Sequence, residues 1–336
     1  MRAVVITRPG GPEVLAVEER PTPAPGAGEI LVRVHATALN RADLMQRRGQ
    51  YPPPPGAPAD VPGLEYAGEV VALGPGARER AVGDRVFGLV GGGAYADYVV
   101  AHERTAVLVP NGLAWTDAAA VPEAFMTAHD GLIQADARPG DVILVHAAAS
   151  GVGLAALQLA RAFGMTALGS ARTASKLDAI RAHGAADALA IPADVARDEG
   201  ALRAALVDFV RARTGGRGAD VALDLVGGPY VNATLHALAP RGRHVLIGLV
   251  AGREGSVDVG RVLSARLTLR GTVMRARPLE ERIATAQRFA HEVVPLLARG
   301  VARPTVDRVF ALADVAAAHH HLESDATTGK VVLRVS

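Results

Sequence analysis

The chain has 336 residues, with 36 Lys or Arg against 34 Asp or Glu and a formal net charge of +2. That balance leaves no electrostatic footprint for nucleic acid or an anionic membrane surface. Apolar residues make up 49% of the chain and cysteine is absent. Two domains with sizeable cores are therefore expected, and disulfides, thiolate metal ligands and cysteine nucleophiles are excluded. The opening MRAVVITRPGG has no apolar signal-peptide core and no apolar run reaches membrane-spanning length, so the expectation is a cytoplasmic protein.

From residue 1 to about residue 121 the pattern is short strands separated by Gly and Pro. MRAVVIT, EILVRVHATAL, EYAGEVVALG, DRVFGLV and AYADYVVA alternate or run apolar over strand lengths, and PGG, PGAG and GPGAR read as turns. This portion is expected to be β-rich and barrel-like. From about residue 122 strands and helices alternate. DVILVHAA is a strand, GVGLAALQLARAFG a helix, MTALGSA a strand, ASKLDAIRAHGA a helix and ADALAI a strand. A long helix over 198–213, the strand ADVALDLV, a helix over 229–238 and the strands RHVLIGLV and RLTLRGTV continue the series, and a helix is expected over 279–299. Alternation of this kind implies a parallel sheet covered on both faces. The last 30 or so residues return to strand, helix and strand (DRVFAL, DVAAAHHHLES, GKVVLRV) and are expected to rejoin the first domain.

The stretch Asp141 to Ala160, DVILVHAAASGVGLAALQLA, is a strand, a turn of small residues and an apolar helix. A dinucleotide pyrophosphate needs small residues at such a turn, because backbone must approach it closely and the helix N-terminus must aim N–H groups at it. The usual Gly-x-Gly-x-x-Gly is incomplete: Ala148 and Ser150 take the first two positions, Gly153 the third, and Gly151 is an extra glycine. Alanine is sterically close to glycine, and serine adds a hydroxyl, so Ser150, Gly151, Val152 and Gly153 are the candidate pyrophosphate residues. About 20 residues further on, an NAD site places Asp or Glu for the ribose 2′-hydroxyl. Here the strand ends LGSARTASK, and no acid appears until Asp178. Ser170, Arg172 and Lys176 instead suit a 2′-phosphate, which points to NADP(H).

With those stretches in view, the chain resembles the medium-chain dehydrogenase/reductase superfamily. Within it the sequence is similar to the zinc-independent quinone oxidoreductases, most of all the p53-inducible subgroup. LNRADLMQRRGQYPPPPG (39–56), PGLEYAGEV (62–70), AAAVPEAFMTAHDGL (118–132) and HAAASGVGLAALQLA (146–160) carry the resemblance. It implies a β-rich GroES-like catalytic domain (1–121 with 302–336) and a Rossmann doubly wound parallel-sheet domain (122–301). It also implies a homodimer, for which RLTLRGTV (266–273) offers an edge strand. Zinc-dependent relatives hold their metal with cysteines and the histidine of a Gly-His-Glu stretch. The equivalent here is Gly63-Leu64-Glu65, so no metal site is expected.

Removing zinc removes the main electrophile. The hydride acceptor should then be intrinsically electron-poor, as a quinone is, with conjugated enones second. By resemblance Tyr51, in the proline-stiffened loop GQYPPPPG, and Asn40 lie at the nicotinamide end, where each could meet an acceptor oxygen; Asn40 reads equally as a structural residue capping the helix RADLMQ. Thr127 matches a threonine beside the nicotinamide, and backbone at Gly248, Leu249, Val250 and Val273 would face its amide. Asp43 reads better as a helix-start residue than as a base, and His146 as a buried hydrogen-bonded histidine. The run His319, His320 and His321 is not expected to chelate, because successive helical side chains diverge by about 100°. The expected activity is NADPH-dependent, metal-free reduction of a quinone or similar small-molecule electrophile, by hydride or by electron transfer from nicotinamide C4. Two alternatives stay open: a medium-chain enoyl or alkenal reductase, and an NADPH-binding sensor or structural protein without significant turnover.

Overall fold

Strand-forming segments open the chain in the computed structural model, which describes residues 1–335. β1 (Arg2–Ile6) and β2 (Leu15–Glu19) pair antiparallel. β3 (Glu29–Ala38) leads into α1 (Arg41–Arg47), followed by β4 (Glu65–Leu73), β5 (Arg85–Leu89), β6 (Tyr98–His102), β7 (Val107–Leu108) and α2 (Trp115–Ala119). A π-helical turn over Pro122–Met126 closes this part. Such turns concentrate at functional places in helices.

The next unit, Thr127–Val273, is one continuous segment. It comprises α3 (Thr127–Gln134), β8 (Val142–Val145), α4 (Gly151–Ala162), β9 (Thr166–Ala171), α5 (Leu177–Ala182) and β10 (Ala185–Ala190). α6 (Ala193–Arg197), α7 (Glu199–Arg213), β11 (Ala219–Asp224), α8 (Pro229–Ala237), β12 (Leu238–Leu246), α9 (Val259–Ala265) and β13 (Thr268–Gly271) complete it. Its six strands form a parallel sheet in the order β10-β9-β8-β11-β12-β13. β8 and β11 are buried on both faces, which is why VILV reads as an unbroken apolar run rather than an alternation.

From Met274 the chain returns to the first unit with α10 (Leu279–Glu292), α11 (Val294–Ala298), β14 (Val306–Ala311), α12 (Val315–Glu323) and β15 (Lys330–Arg334). β15 pairs parallel with β14 and antiparallel with β3, giving a sheet ordered β14-β15-β3-β4-β5-β7 with β6 on β3. Ile30, Val32, Val34, Tyr66, Val86 and Leu333 share its core.

Two details depart from the sequence reading. The helix expected over 279–299 is two helices, because Pro295 takes the first turn of α11, where its missing N–H costs nothing. Residues 274–301, expected in the second domain, pack with the first unit instead. Ile283, Ala286 and Phe289 form the buried side of α10, and Phe289 meets Phe87 edge-on at 6.3 Å between ring centres. Amphipathic periodicity marks that a face is buried, not which core receives it.

Candidate functional site

The turn after β8 is built by steric economy. Ser150 caps α4, its hydroxyl oxygen accepting from the Gly153 amide at 3.1 Å, as Ser does at helix starts. A Cβ at Gly153 would lie 2.6 Å from the Ala147 oxygen, the Ala148 Cα and the Ala148 oxygen, so only glycine lets α4 sit this close to the turn. Ala148 is fully buried with no left-handed backbone, while its neighbour Ala147 takes φ +48°. A non-glycine residue held there stores of order 1–3 kcal/mol. The small-residue reading of this turn therefore has a direct geometric cause.

Because every strand of this unit is parallel, the segments after β8, β9, β11, β12 and β13 emerge at one edge of the sheet. Ser150, Gly151, Val152 and Gly153 follow β8; Arg172 and Lys176 follow β9. Gly248, Leu249 and Val250 follow β12, and Val273 follows β13. Leu249, Val250 and Val273 are exposed. Gly248 is pressed against the end of β11, where a Cβ would meet the Leu225 oxygen at 2.5 Å. α3 joins the same edge: the Thr272 hydroxyl donates to Asp130 at 2.7 Å. Thr127, at the start of α3, is buried, and its hydroxyl has no hydrogen-bond partner among the described residues. An orphaned buried hydroxyl is uncommon, and it suits a ligand group.

Ser170 behaves differently from its expectation as a phosphate donor. It is buried, and its hydroxyl pairs with His146 Nδ1 at 2.8 Å, while His146 Nε2 pairs with the Thr234 hydroxyl at 2.8 Å. The side chain faces the interior, not the surface that carries Arg172. Sequence reasoning also missed Asp224. Its carboxylate accepts from the Val226 and Gly227 amides at 2.8 and 2.9 Å and pairs with His244 Nε2 at 3.0 Å, fixing the turn after β11. Burial would raise its pKa, but these bonds and the two nearby histidines hold it below the usual carboxylate value.

The first unit carries its own polar cluster. Lys330 Nζ lies 2.7 Å from Glu65 Oε1, 2.8 Å from the Leu39 oxygen and 2.6 Å from Asn40 Oδ1. An ammonium only donates, which fixes the Asn40 oxygen toward it and the Asn40 amide nitrogen toward Glu65 at 2.9 Å. The Glu123 amide donates to the other Glu65 oxygen at 2.8 Å. Asn40 is thus turned into the protein, not outward as a donor to an acceptor oxygen. Asp43 is fully buried, accepting from the Asn40 amide at 2.7 Å and the Tyr95 hydroxyl at 3.1 Å. Burial pushes its carboxyl up to about 6. Its bonds tie the start of α1 in place, in keeping with a helix-start role.

Tyr51 is held by a residue that periodicity could not reveal. The Arg275 guanidinium sits 4.8 Å from the centre of the Tyr51 ring. It donates to the Gly91 oxygen at 2.8 Å, to Gln46 Oε1 at 2.6 Å and, at the long end, to the Tyr51 backbone oxygen at 3.4 Å. Burial pushes the Tyr51 phenol above its ordinary value, so it is a neutral hydrogen-bond donor at neutral pH. The signal for Lys330 was in the sequence: Lys176 and Lys330 are the only lysines in an arginine-rich chain.

A zinc ion does not fit these residues. Position 64 is leucine, the chain has no cysteine, and the Glu65 carboxylate is taken by Lys330. The three consecutive histidines diverge: His319 is buried against Arg47 at 3.1 Å, His321 pairs with Asp307 at 2.6 Å, and His320 is exposed. Among the described residues no helix is long and apolar enough to cross a membrane.

A strand-rich unit interrupted by a parallel dinucleotide-type sheet is the architecture of a two-unit dehydrogenase/reductase. Comparison with known proteins agrees. Residues 26–111 match the alcohol dehydrogenase GroES-like domain and residues 198–333 match the zinc-binding dehydrogenase family. A quinone oxidoreductase of Pseudomonas aeruginosa is 36% identical over 326 residues, covering 96% of both chains. A pikromycin polyketide synthase component of Streptomyces venezuelae is 38% identical over 97% of this chain, which spans only 8% of that protein's length. The Escherichia coli quinone oxidoreductase complexed with NADPH superimposes with a TM-score of 0.85 at 30% identity, covering 100% of both chains. The chain is an oxidoreductase of the medium-chain dehydrogenase/reductase superfamily and belongs to its quinone-oxidoreductase-like members.

Proposed function

We propose that this protein uses NADPH to reduce quinones, or similarly electron-poor acceptors, without a metal. The observation that carries the reading is the Lys330–Glu65 pair beside Leu64. Where a zinc-dependent relative would keep its Lewis acid, this chain keeps a buried ion pair. A simple ketone would then lack stabilisation for its developing alkoxide, whereas a quinone delocalises the charge into an aromatic ring.

NADPH, when bound, supplies hydride from its nicotinamide. The chain's own residues bind and orient. Backbone at Ser150, Gly151, Val152 and Gly153 receives the pyrophosphate at the start of α4. Arg172 and Lys176 bind the 2′-phosphate, a site an acidic residue would spoil. Thr127 and backbone at Gly248, Leu249, Val250 and Val273 receive the nicotinamide end. In the first unit Tyr51 offers its ring to a flat acceptor and its phenol to an acceptor oxygen, with Arg275 fixing the loop. Asn40 is the anchor through which Lys330 and Glu65 hold the start of α1. The quinone would take one hydride and one proton from solvent and leave as the hydroquinone. The exposed edge strand β13 is the surface through which we propose a homodimer forms.

The test follows NADPH and NADH oxidation at 340 nm with EDTA present. Acceptors are 1,4-benzoquinone, 9,10-phenanthrenequinone and a conjugated enone. The enzymes are the wild type and the Arg172→Ser, Lys176→Ser double variant. Chelator-insensitive oxidation of NADPH by the quinones is expected. Charge-assisted bonds contribute about 1.5–3 kcal/mol each, and solvent screening at side chains this exposed holds two of them to the low end, so the double variant should lose its preference for NADPH over NADH by roughly 100-fold. Oxidation by the enone alone would make this a carbon–carbon double-bond reductase. Binding without oxidation by any acceptor would overturn the catalytic reading, and an unchanged cofactor preference would overturn the 2′-phosphate assignment.

A further inference from the structure

The second unit bears another cationic surface, which the proposed reaction does not use. A concavity of about 300 Å3 opens between α7, α8 and α9, lined by Arg203, Arg211, His236 and Arg261 over the small residues Gly200 and Ala204. No carboxylate lines it. Gly200, Arg203 and Arg211 recur at helical spacing on α7, so they share one face. The opposite face of α7, with Leu202, Leu206, Phe209 and Val210, is packed into the core with residues of α8 and α9. Right-handed crossovers run from β8 outward through α4 and from β11 the other way through α8, which places those helices on opposite faces of the sheet. The concavity therefore lies in the helical layer that does not contain the nucleotide turn.

The arginines are poised unequally. Neither Arg203 nor Arg211 has a hydrogen-bond or ion-pair partner for its guanidinium among the described residues. Arg261 is pre-oriented: its guanidinium donates to the Leu235 oxygen at 3.2 Å and the Leu238 oxygen at 2.7 Å, which fixes a flexible cation before any ligand arrives. His236 Nε2 is buried without a hydrogen-bond partner, although Asp258 lies 3.4 Å away. Two carboxylates on the flanking helices, Glu199 at the start of α7 and Asp258 at the start of α9, are engaged. Glu199 accepts from Asn232 and Ser256, and Asp258 caps α9 through the Arg261 amide. Arg203 and Arg211 lie eight residues apart, about 12 Å along the helix axis. One phosphate would engage one end of such a row; a chain of phosphates spans it.

We propose that this concavity binds a small molecule bearing an oligophosphate, gripped by Arg203, Arg211 and Arg261 and separate from the dinucleotide turn. Guanidinium forks match phosphate oxygens in pairs, and small residues on α7 leave room for them. The proposal is independent of the reaction catalysed.

Isothermal titration of the full chain with tripolyphosphate, in the presence of excess NADPH to fill the dinucleotide site, tests it, with orthophosphate as the short control. Three proteins are compared: the wild type, the Arg203→Ser, Arg211→Ser double variant, and the Arg172→Ser, Lys176→Ser double variant. The wild type should bind tripolyphosphate more tightly than orthophosphate. Loss of Arg203 and Arg211 should weaken it by about tenfold or more, equivalent to about 1.4 kcal/mol, while loss of Arg172 and Lys176 leaves it unchanged. Both pairs are on the surface, and an unchanged melting temperature checks that each variant folds. Absence of binding to the wild type, equal weakening in both variants, or weakening only in the second variant would each overturn the proposal.

Discussion

His146 sits fully buried at the end of β8 with both ring nitrogens engaged by hydroxyls, Ser170 on one side and Thr234 on the other. Hydroxyls can donate or accept, so a neutral imidazole satisfies both bonds in either tautomer. Burial drives its pKa down to about 4, with the Asp224 carboxylate opposing and His244 adding to the shift. Unfolded, the side chain titrates near the ordinary value of about 6.5. Between those values the unfolded chain binds a proton that the folded chain refuses. The contribution of His146 to stability is therefore complete above the unfolded pKa and is lost as pH falls toward 4. At about 1.36 kcal/mol per pKa unit the loss is roughly 3 kcal/mol. In denaturant titrations at a series of pH values, His146→Gln should fall less steeply than the wild type between those limits; parallel curves would refute the assignment. The sequence reading of His146 as a buried, hydrogen-bonded side chain matches this environment. Ser170, the partner, was not legible. β9 is covered on both faces, so no alternation betrays which way a small polar side chain turns. The Asn40–Lys330 contact spans 290 residues, and no local pattern can report it.

At the scale of elements, the strand–turn–helix at α4 was the most legible feature, because its chemistry is local. Small residues there are required by the approach of one backbone to another, and that requirement is written in consecutive letters. The balance can be tested at Gly153. Alanine is the better helix former by about 1 kcal/mol. Its Cβ, however, would lie 2.6 Å from three backbone atoms of Ala147 and Ala148, none of which can swing aside as a side chain would. Overpacking of this kind costs about 1–3 kcal/mol, so the clash should win. Gly153→Ala is expected to lower unfolding free energy by up to about 2 kcal/mol and to weaken NADPH binding, as α4 shifts away from its turn. Denaturant melts and fluorescence titration check the two effects. A variant as stable as the wild type with unchanged NADPH affinity would mean that α4 has more freedom than its contacts imply. α10 was the opposite case. Its helical period was plain, yet its destination depends on Phe289 finding Phe87, a contact across two hundred residues.

The whole molecule is one continuous unit inserted into a discontinuous one, and the last segment shows what that means energetically. β15 is interior to its sheet, between β14 and β3, and Val331 and Leu333 are fully buried in the same core as Ile30 and Val32. The sequence made the return visible as strand, helix and strand; it did not reveal that Lys330 would neutralise Glu65. A chain cut after Val301 loses β14, α12 and β15 together. The Ala36–Ala38 end of β3 loses its partner, while β6 still covers Glu29–Arg33, and Glu65, with no exposed side-chain surface, keeps a buried charge without its cation. Breaking a buried pair in this way costs about 3–5 kcal/mol, a large share of the stability of a typical domain. The inserted unit loses none of its strands, and its own core of Leu144, Leu168, Leu206, Phe209 and Leu235 remains complete. Hydrogen exchange on the truncated chain should therefore show protection retained in β8, β9, β11 and β12 and lost in β3, β4 and β5. Retained protection in β3 and β4 would show that the first unit stands without its final strand, and that the Lys330–Glu65 pair is held for a reason other than stability.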